Sequence, residues 1–139
     1  MSEQRITLIM KFLMALMLGY FAYYKGWVFS DFKNISPQEA HLLLEKPNKI
    51  LLLDVRSKKE FEKDHLEGAR SVPFALIGTT EFRDSEILVY SERGELSVEA
   101  SRILSKRGYG DVYNLEGGVV FWIRAGYKVI KLKLTNSVK

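Results

Sequence analysis

Hydrophobic positions fall into one long run near the amino terminus and several short ones after it. From Ile6 to Tyr24 the chain reads ITLIMKFLMALMLGYFAYY, 19 residues with a single charge at Lys11. As a helix this run is roughly 28 Å long, close to the apolar thickness of a bilayer, and it predicts a membrane span over about residues 6–24 within an anchor at 1–30. Lys11 can snorkel from one end, while Tyr20, Tyr23, Tyr24 and Trp27 crowd the other as an interfacial belt does. A cleaved signal peptide is the competing reading, because Arg5 and Lys11 precede the apolar run from Phe12. No small-x-small site follows, and the run ends in Tyr-Tyr-Lys-Gly-Trp, which favours an uncleaved anchor. Flanking charge is nearly balanced, Arg5, Lys11 and the amino terminus against Lys25 and Lys33, with a small bias toward an extracytoplasmic domain.

The later runs are shorter and alternate in kind. Phe32 to Ile35 is a candidate strand, and Ser36-Pro37-Gln-Glu opens a helix with an N-cap serine, proline at the first position and an early acid. Pro47 stops that helix after Ala40, Leu43 and Leu44. Ile50 to Leu53 and Ile87 to Tyr90 are apolar throughout, as strands covered on both faces require. Ser57 to His65 predicts a polar helix anchored by Phe61, and Ala69 to Val72 a short strand ending at Pro73. No period is clear from Phe74 to Asp84. Val98 to Arg107 predicts a helix stopped by Gly108, Val112 to Leu115 a strand, and Gly117-Gly118 the start of a last helix ending near Gly126. Ile130 to Leu134 alternates with period two, which predicts a half-exposed edge strand. Strands alternating with helices define an α/β fold with a mainly parallel, five-stranded sheet flanked by helices.

Charge adds little to this picture. Residues 1–34 hold four of the 21 bases and two of the 17 acids, leaving 17 bases against 15 acids beyond them. The only run of one sign is Lys128, Lys131, Lys133 and Lys139, a pattern typical of a solvated tail, so no nucleic-acid partner is expected. The complete absence of cysteine excludes disulfides, thiolate zinc sites and iron–sulfur ligation. Asp54, Glu60, Glu62 and Asp64 are too scattered for a metal site, and no cofactor is implied.

Four segments carry a family likeness. Leu53-Asp54-Val55-Arg56 with Glu60-Phe61, then His65-Leu-Glu-Gly68-Ala69 with Pro73, then Leu88-Val89-Tyr90-Ser91-x-x-Gly94-x-x-Ser97, and last Asn114-Leu115-Glu116-Gly117-Gly118 with Trp122 and Ala125-Gly126-Tyr127 occur in this order. Together, over about residues 32–130, they resemble the rhodanese family of sulfurtransferase domains. The resemblance implies a single rhodanese-like domain at 32–130, followed by a basic tail or edge strand at 131–139. In that family a loop cysteine accepts a sulfane sulfur, holds it as a persulfide against loop amides, and passes it to a thiophilic acceptor. The six-residue loop, here Ser91 to Leu96, is the length associated with sulfur rather than phosphate chemistry.

The nucleophile position is where this chain departs. Ser91 stands at the family's cysteine, and an alkoxide lacks the softness and the accessible pKa that persulfide chemistry needs. Glu92 and Glu95 flank Arg93, and Leu96 stands where relatives carry a base before the terminal serine, Ser97, so the loop from Glu92 through Gly94 to Ser97 is net acidic. That balance opposes binding of thiosulfate or phosphate. A serine engineered into an otherwise unchanged enzyme would leave the loop basic. Asp54 and Arg56 are expected to form a local ion pair at the strand end, and His65 a structural hydrogen bond, the three supporting the loop.

The expected function is a single-pass membrane protein whose domain has lost sulfur transfer and serves as a binding or regulatory module. Its partners would be the bilayer through residues 6–24 and a protein or small anion at the 91–97 loop. The alternative is an enzyme with altered chemistry, sulfur transfer or phosphate or ester chemistry at Ser91, for which His41 and His65 are the only histidines available as base. Phe121 and Trp122 are expected in the core.

Overall fold

In the computed structural model, which describes residues 1–24, 32–47, 50–83 and 86–132, helix α1 (Glu3–Tyr24) contains no buried residue. It is long and apolar enough to cross a membrane. Leu8, Phe12, Met14, Met17 and Tyr20 are all more than half exposed, an arrangement that water alone does not favour. Lys25 and Trp27, expected at the membrane interface, lie outside the described residues. Met1–Ser30 and Asp31–Lys139 form two compact units.

The second unit runs β1 (Lys33–Ile35), α2 (Pro37–Leu44), β2 (Leu51–Asp54), α3 (Lys58–Lys63), β3 (Asp64–His65) and β4 (Arg70–Ser71). It continues through a 3-10 turn (Phe74–Leu76) to β5 (Glu86–Tyr90), α4 (Glu95–Lys106), β6 (Asp111–Leu115), α5 (Gly118–Arg124) and β7 (Ile130–Lys131). Five strands form one wholly parallel sheet in the order β1-β6-β5-β2-β4. The expected α/β class and five-stranded parallel sheet are therefore what the chain adopts.

Strand pleating divides the core in two. Leu53, Ile87, Val89 and Val112 face Ala100 and Leu104 of α4, while Leu52, Leu88, Tyr90 and Leu115 face Ala40 of α2 and Val119 and Trp122 of α5. Both faces are covered, which is why Leu51–Leu53 of β2 and Ile87–Tyr90 of β5 are apolar without alternation.

Serine caps set where α2 and α3 begin. Ser36 Oγ accepts from Glu39 N–H while Glu39 Oε2 accepts from Ser36 N–H and Oγ–H, and Ser57 and Glu60 repeat the exchange. These are reciprocal capping boxes, each satisfying amides that a helix start leaves unpaired.

Three expected boundaries move. The polar helix stops at Lys63, because Asp64 and His65 turn extended and pair antiparallel with Lys131 and Ile130. The tail strand is thus real at Ile130–Lys131 but belongs to this separate two-stranded ribbon, not to an edge of the main sheet; Lys133 and Leu134 lie outside the described residues. Helix α4 begins at Glu95 instead of Val98, so only Ser91–Gly94 of the six-residue loop is non-helical, and Leu96 and Ser97 already lie in the first turn. Gly94, at φ +106°, makes that early start possible, a backbone conformation that side-chain-bearing residues rarely adopt.

Candidate functional site

Helix α4 follows β5 onto one face of the sheet, and α5 follows β6 onto the other. The carboxyl ends of these neighbouring strands therefore flank a topological switch point, where open α/β sheets form their crevices. Ser91 follows β5 there, and Gly117-Gly118 opens α5 after β6 opposite it.

The two chain segments are stitched by backbone. Val119 N–H donates to the Ser91 carbonyl at 3.0 Å and Val120 N–H to the Glu92 carbonyl at 3.1 Å. Gly118 is required for this approach, because a Cβ on it would lie 2.2 Å from the Ser91 carbonyl oxygen. The Gly-Gly doublet is thus a packing requirement of the loop as well as a helix start.

Ser91 is 2% exposed, and its hydroxyl is fully engaged. Ser91 Oγ accepts from Gly94 N–H at 3.1 Å and from Ser97 N–H at 3.3 Å, and it donates to Ser97 Oγ at 3.2 Å. Ser97 Oγ in turn donates to the Gly94 carbonyl at 3.1 Å. Loop amides and the first turn of α4 converge on the atom at the nucleophile position, the arrangement that stabilises negative charge there.

Behind the loop lies a buried ion cluster centred on Arg56, which is 2% exposed beside the fully buried Asp54. Arg56 Nε and Nη2 fork onto the Asp54 carboxylate at 2.8–3.1 Å, Nη1 donates to Asp64 Oδ1 at 3.1 Å and to Glu92 Oε2 at 2.8 Å, and Nη2 also donates to the Asp64 carbonyl. Burial disfavours the guanidinium charge, but the bonds and field of Asp54, with Glu92 and Asp64, outweigh it and hold the group's proton more tightly than usual. Tyr90 packs against this cluster, with Arg56 5.8 Å from its ring centre, and its hydroxyl accepts from Leu66 N–H at 3.1 Å. Burial, then the negative field of Asp54, pushes the phenol pKa upward, so the ring stays neutral.

The structure places the sequence-derived residues unevenly. Asp54 and Arg56 form the expected pair, and Arg56 reaches the loop through Glu92. Glu92 is therefore not a free repulsive charge: its carboxylate is matched by a guanidinium. Arg93, Glu95 and Leu96 point outward and are exposed. His65 Nδ1 bonds the Phe61 carbonyl at 2.8 Å and its ring stacks on Phe61, which ties it to α3. His41 Nε2 lies 3.3 Å from Glu45 and its ring stacks on Tyr127, so both candidate bases are engaged elsewhere. Trp122 is buried at 6% exposure, but Phe121 is 48% exposed and lies over Gly117 instead of entering the core. Asp64 and Tyr90 are members of the site that sequence reasoning missed. Neither has a spacing that announces a partner.

Comparison with known proteins agrees with this geometry. The family profile of the Rhodanese-like domain matches residues 36–125, and the chain belongs to that family. It is 33% identical over 95 residues to the probable adenylyltransferase/sulfurtransferase MoeZ of Mycobacterium tuberculosis, covering 65% of this chain and 24% of that protein. The chain thus spans about a quarter of MoeZ. The thiosulfate sulfurtransferase GlpE of Pseudomonas putida is 35% identical over 103 residues, 70% of this chain and 90% of GlpE. A rhodanese-related protein from Thermoplasma volcanium superposes with a TM-score of 0.65 at 24% identity, covering 73% of this chain and all of that one, and shares the fold.

Proposed function

We propose that this chain is a membrane-anchored rhodanese-like domain without sulfurtransferase activity that serves as a binding or regulatory module. One observation carries the reading: the atom at the nucleophile position is a buried serine oxygen whose donor and acceptor capacity is consumed by Gly94 and Ser97. Sulfur transfer needs a thiolate to become a persulfide and to release it, and no residue of the chain supplies one. A hydrolytic role for Ser91 would need a base on its hydroxyl, and the hydroxyl donates to another serine.

Residues 1–30 act as the anchor, with 6–24 in the bilayer, and 32–130 form the domain, held on the extracytoplasmic side. The ligand of the 91–97 loop is better matched by a partner protein than by a small anion. Arg56, the buried cation beside the loop, already serves Asp54, Asp64 and Glu92, while Leu96 and Phe121 offer half-exposed apolar surface.

The purified full-length chain in detergent, given thiosulfate and cyanide, is expected to form thiocyanate no faster than a buffer blank. Turnover well above the blank overturns the reading. Protease added to intact spheroplasts is expected to digest the domain; digestion only after lysis would reverse the topology.

A further inference from the structure

Away from the Ser91 loop, the described residues line a half-open cavity of about 350 Å³ between α2, the turn after β3 and the segment following α5. Its wall is aromatic. The His41 ring stacks on Tyr127 with centroids 4.4 Å apart and meets Trp122 edge-on at 6.0 Å, and Trp122 and Tyr127 lie 4.7 Å apart.

Two of the three rings are held at an edge and the third through its backbone. His41 Nε2 lies 3.3 Å from Glu45 Oε1, and Trp122 Nε1–H donates to the Lys128 carbonyl at 3.0 Å. Gly126, at φ +91°, turns the chain so that Tyr127 N–H reaches the Trp122 carbonyl at 3.3 Å. With its one N–H spent, the indole has only its ring surface to offer a ligand. Leu44 and Leu66 complete the apolar lining, and Glu45 and Glu67 stand on it with exposed side chains against one base, Lys128. Glu45, Glu67 and Lys128 together carry a formal charge of −1.

We propose that this cavity binds an organic cation, a guanidinium or alkylated ammonium head group. Ring faces carry the negative end of the aromatic quadrupole and attract cations, and the rigid rings lose little freedom on binding. Two carboxylates add attraction of the same sign, whereas an anion would meet both. A small inorganic cation would have to shed a tightly held hydration shell against apolar walls, a cost that a diffuse organic charge avoids. The cavity has the size of a small-molecule or single-side-chain site. The head group can belong to a free small molecule or to an arginine in a peptide, and two probes separate these sources.

The test uses the full chain in detergent micelles with ¹⁵N-labelled tryptophan, Trp27→Phe assigning the Trp122 indole signal, titrated with choline chloride and with the peptide acetyl-Gly-Arg-Gly-amide. A saturable shift of the Trp122 signal with either probe is expected, choline alone indicating a small-molecule ligand and the peptide alone a protein one. Glu67→Gln is expected to weaken binding about threefold and Lys128→Gln to tighten it about threefold, since each changes the lining charge by one at a partly solvated site. The proposal is overturned if neither probe shifts the signal beyond sodium chloride at equal ionic strength, if N-acetylglutamate shifts it equally, or if the two charge variants leave the affinity unchanged. Both substitutions are on exposed side chains, so the outcome does not depend on a variant that fails to fold.

Discussion

Glu92 Oε2 accepts a hydrogen bond from Arg56 Nη1 at 2.8 Å, joining the residue beside the nucleophile position to a guanidinium that is 2% exposed. The two ends of this bond are unequal. Glu92 keeps about half its side-chain surface in water, while Arg56 also neutralises the fully buried Asp54. Arg56→Met is therefore expected to cost about 3–5 kcal/mol, because it strands a buried carboxylate. Glu92→Gln removes one partly solvated interaction and is expected to cost less than about 1 kcal/mol. Urea unfolding of both variants followed by near-UV circular dichroism measures the contrast. Equal losses would show that the cluster is not centred on Arg56.

Gly118 and Gly68 both have positive φ, +56° and +78°, yet only Gly118 is crowded. A Cβ at Gly118 would press on the Ser91 and Glu92 carbonyl oxygens at 2.2 and 2.6 Å, whereas nothing lies within 4 Å of one at Gly68. Gly68→Ala is expected to lose only the backbone term, about 1 kcal/mol. Gly118→Ala must also push β5 and β6 apart at their carboxyl ends and is expected to lose at least about 3 kcal/mol. Thermal unfolding of the two variants decides, and similar melting temperatures would contradict the stitched-loop geometry.

The sheet and the loop were legible for different reasons. Ile50–Leu53 and Ile87–Tyr90 announce themselves because a strand covered on both faces has no polar positions to interrupt it, and Ser36 because a cap is a local exchange between residues three apart. The start of α4 was not legible: the run Ser91–Ser97 reads as a loop until Gly94 adopts positive φ and Glu95 opens the helix. The run Ser57–His65 predicts a helix through Asp64, because the strand that draws Asp64 out of it, Ile130–Lys131, lies far along the chain. The net acidity of Glu92, Arg93 and Glu95 is correct as a count and incomplete as electrostatics, because the cation that answers Glu92 is Arg56, from the turn after β2.

Acid should loosen the domain partly through its helix caps. The backbone N–H of Ser36, then its hydroxyl, holds the Glu39 carboxyl below its ordinary value of 4.5, and the Ser57 hydroxyl, then its N–H, does the same for Glu60. Because both folded-state values lie below the unfolded ones, the unfolded chain takes up protons first as pH falls. The caps' ionic contribution is thus fully present above the unfolded value and is lost as pH drops through the folded one. The Glu39→Gln/Glu60→Gln double variant can still accept at its amide oxygens but has no carboxyl to protonate. Its melting temperature is expected to fall less steeply than wild type between about pH 5 and about pH 3, with the two curves converging at the acid end. Parallel curves would mean that the caps do not titrate with folding.

Ser91→Cys asks whether the loop has lost only sulfur. Gly94 N–H, Ser97 N–H and the first turn of α4 already converge on the side-chain oxygen at 91, so a thiolate there would inherit two amide donors and a helix start. Against this stands Glu95, an exposed carboxylate in the same first turn; Glu92 is answered by Arg56. Two short-range donors outweigh one solvated charge that water and salt screen. The new thiol is therefore expected to titrate at least about one unit below the ordinary cysteine value of about 8.5. Thiolate absorbance near 240 nm, taken as the difference from the wild-type chain at each pH, reads that midpoint with no second thiol contributing, because the chain has no other cysteine. With the single loop cation Arg93 set between Glu92 and Glu95, thiosulfate turnover in the variant is expected to be measurable but weak. A midpoint at or above about 8.5 would mean that the amides no longer stabilise charge at this position, and that the loop has been rebuilt around its serine and not merely deprived of a sulfur atom.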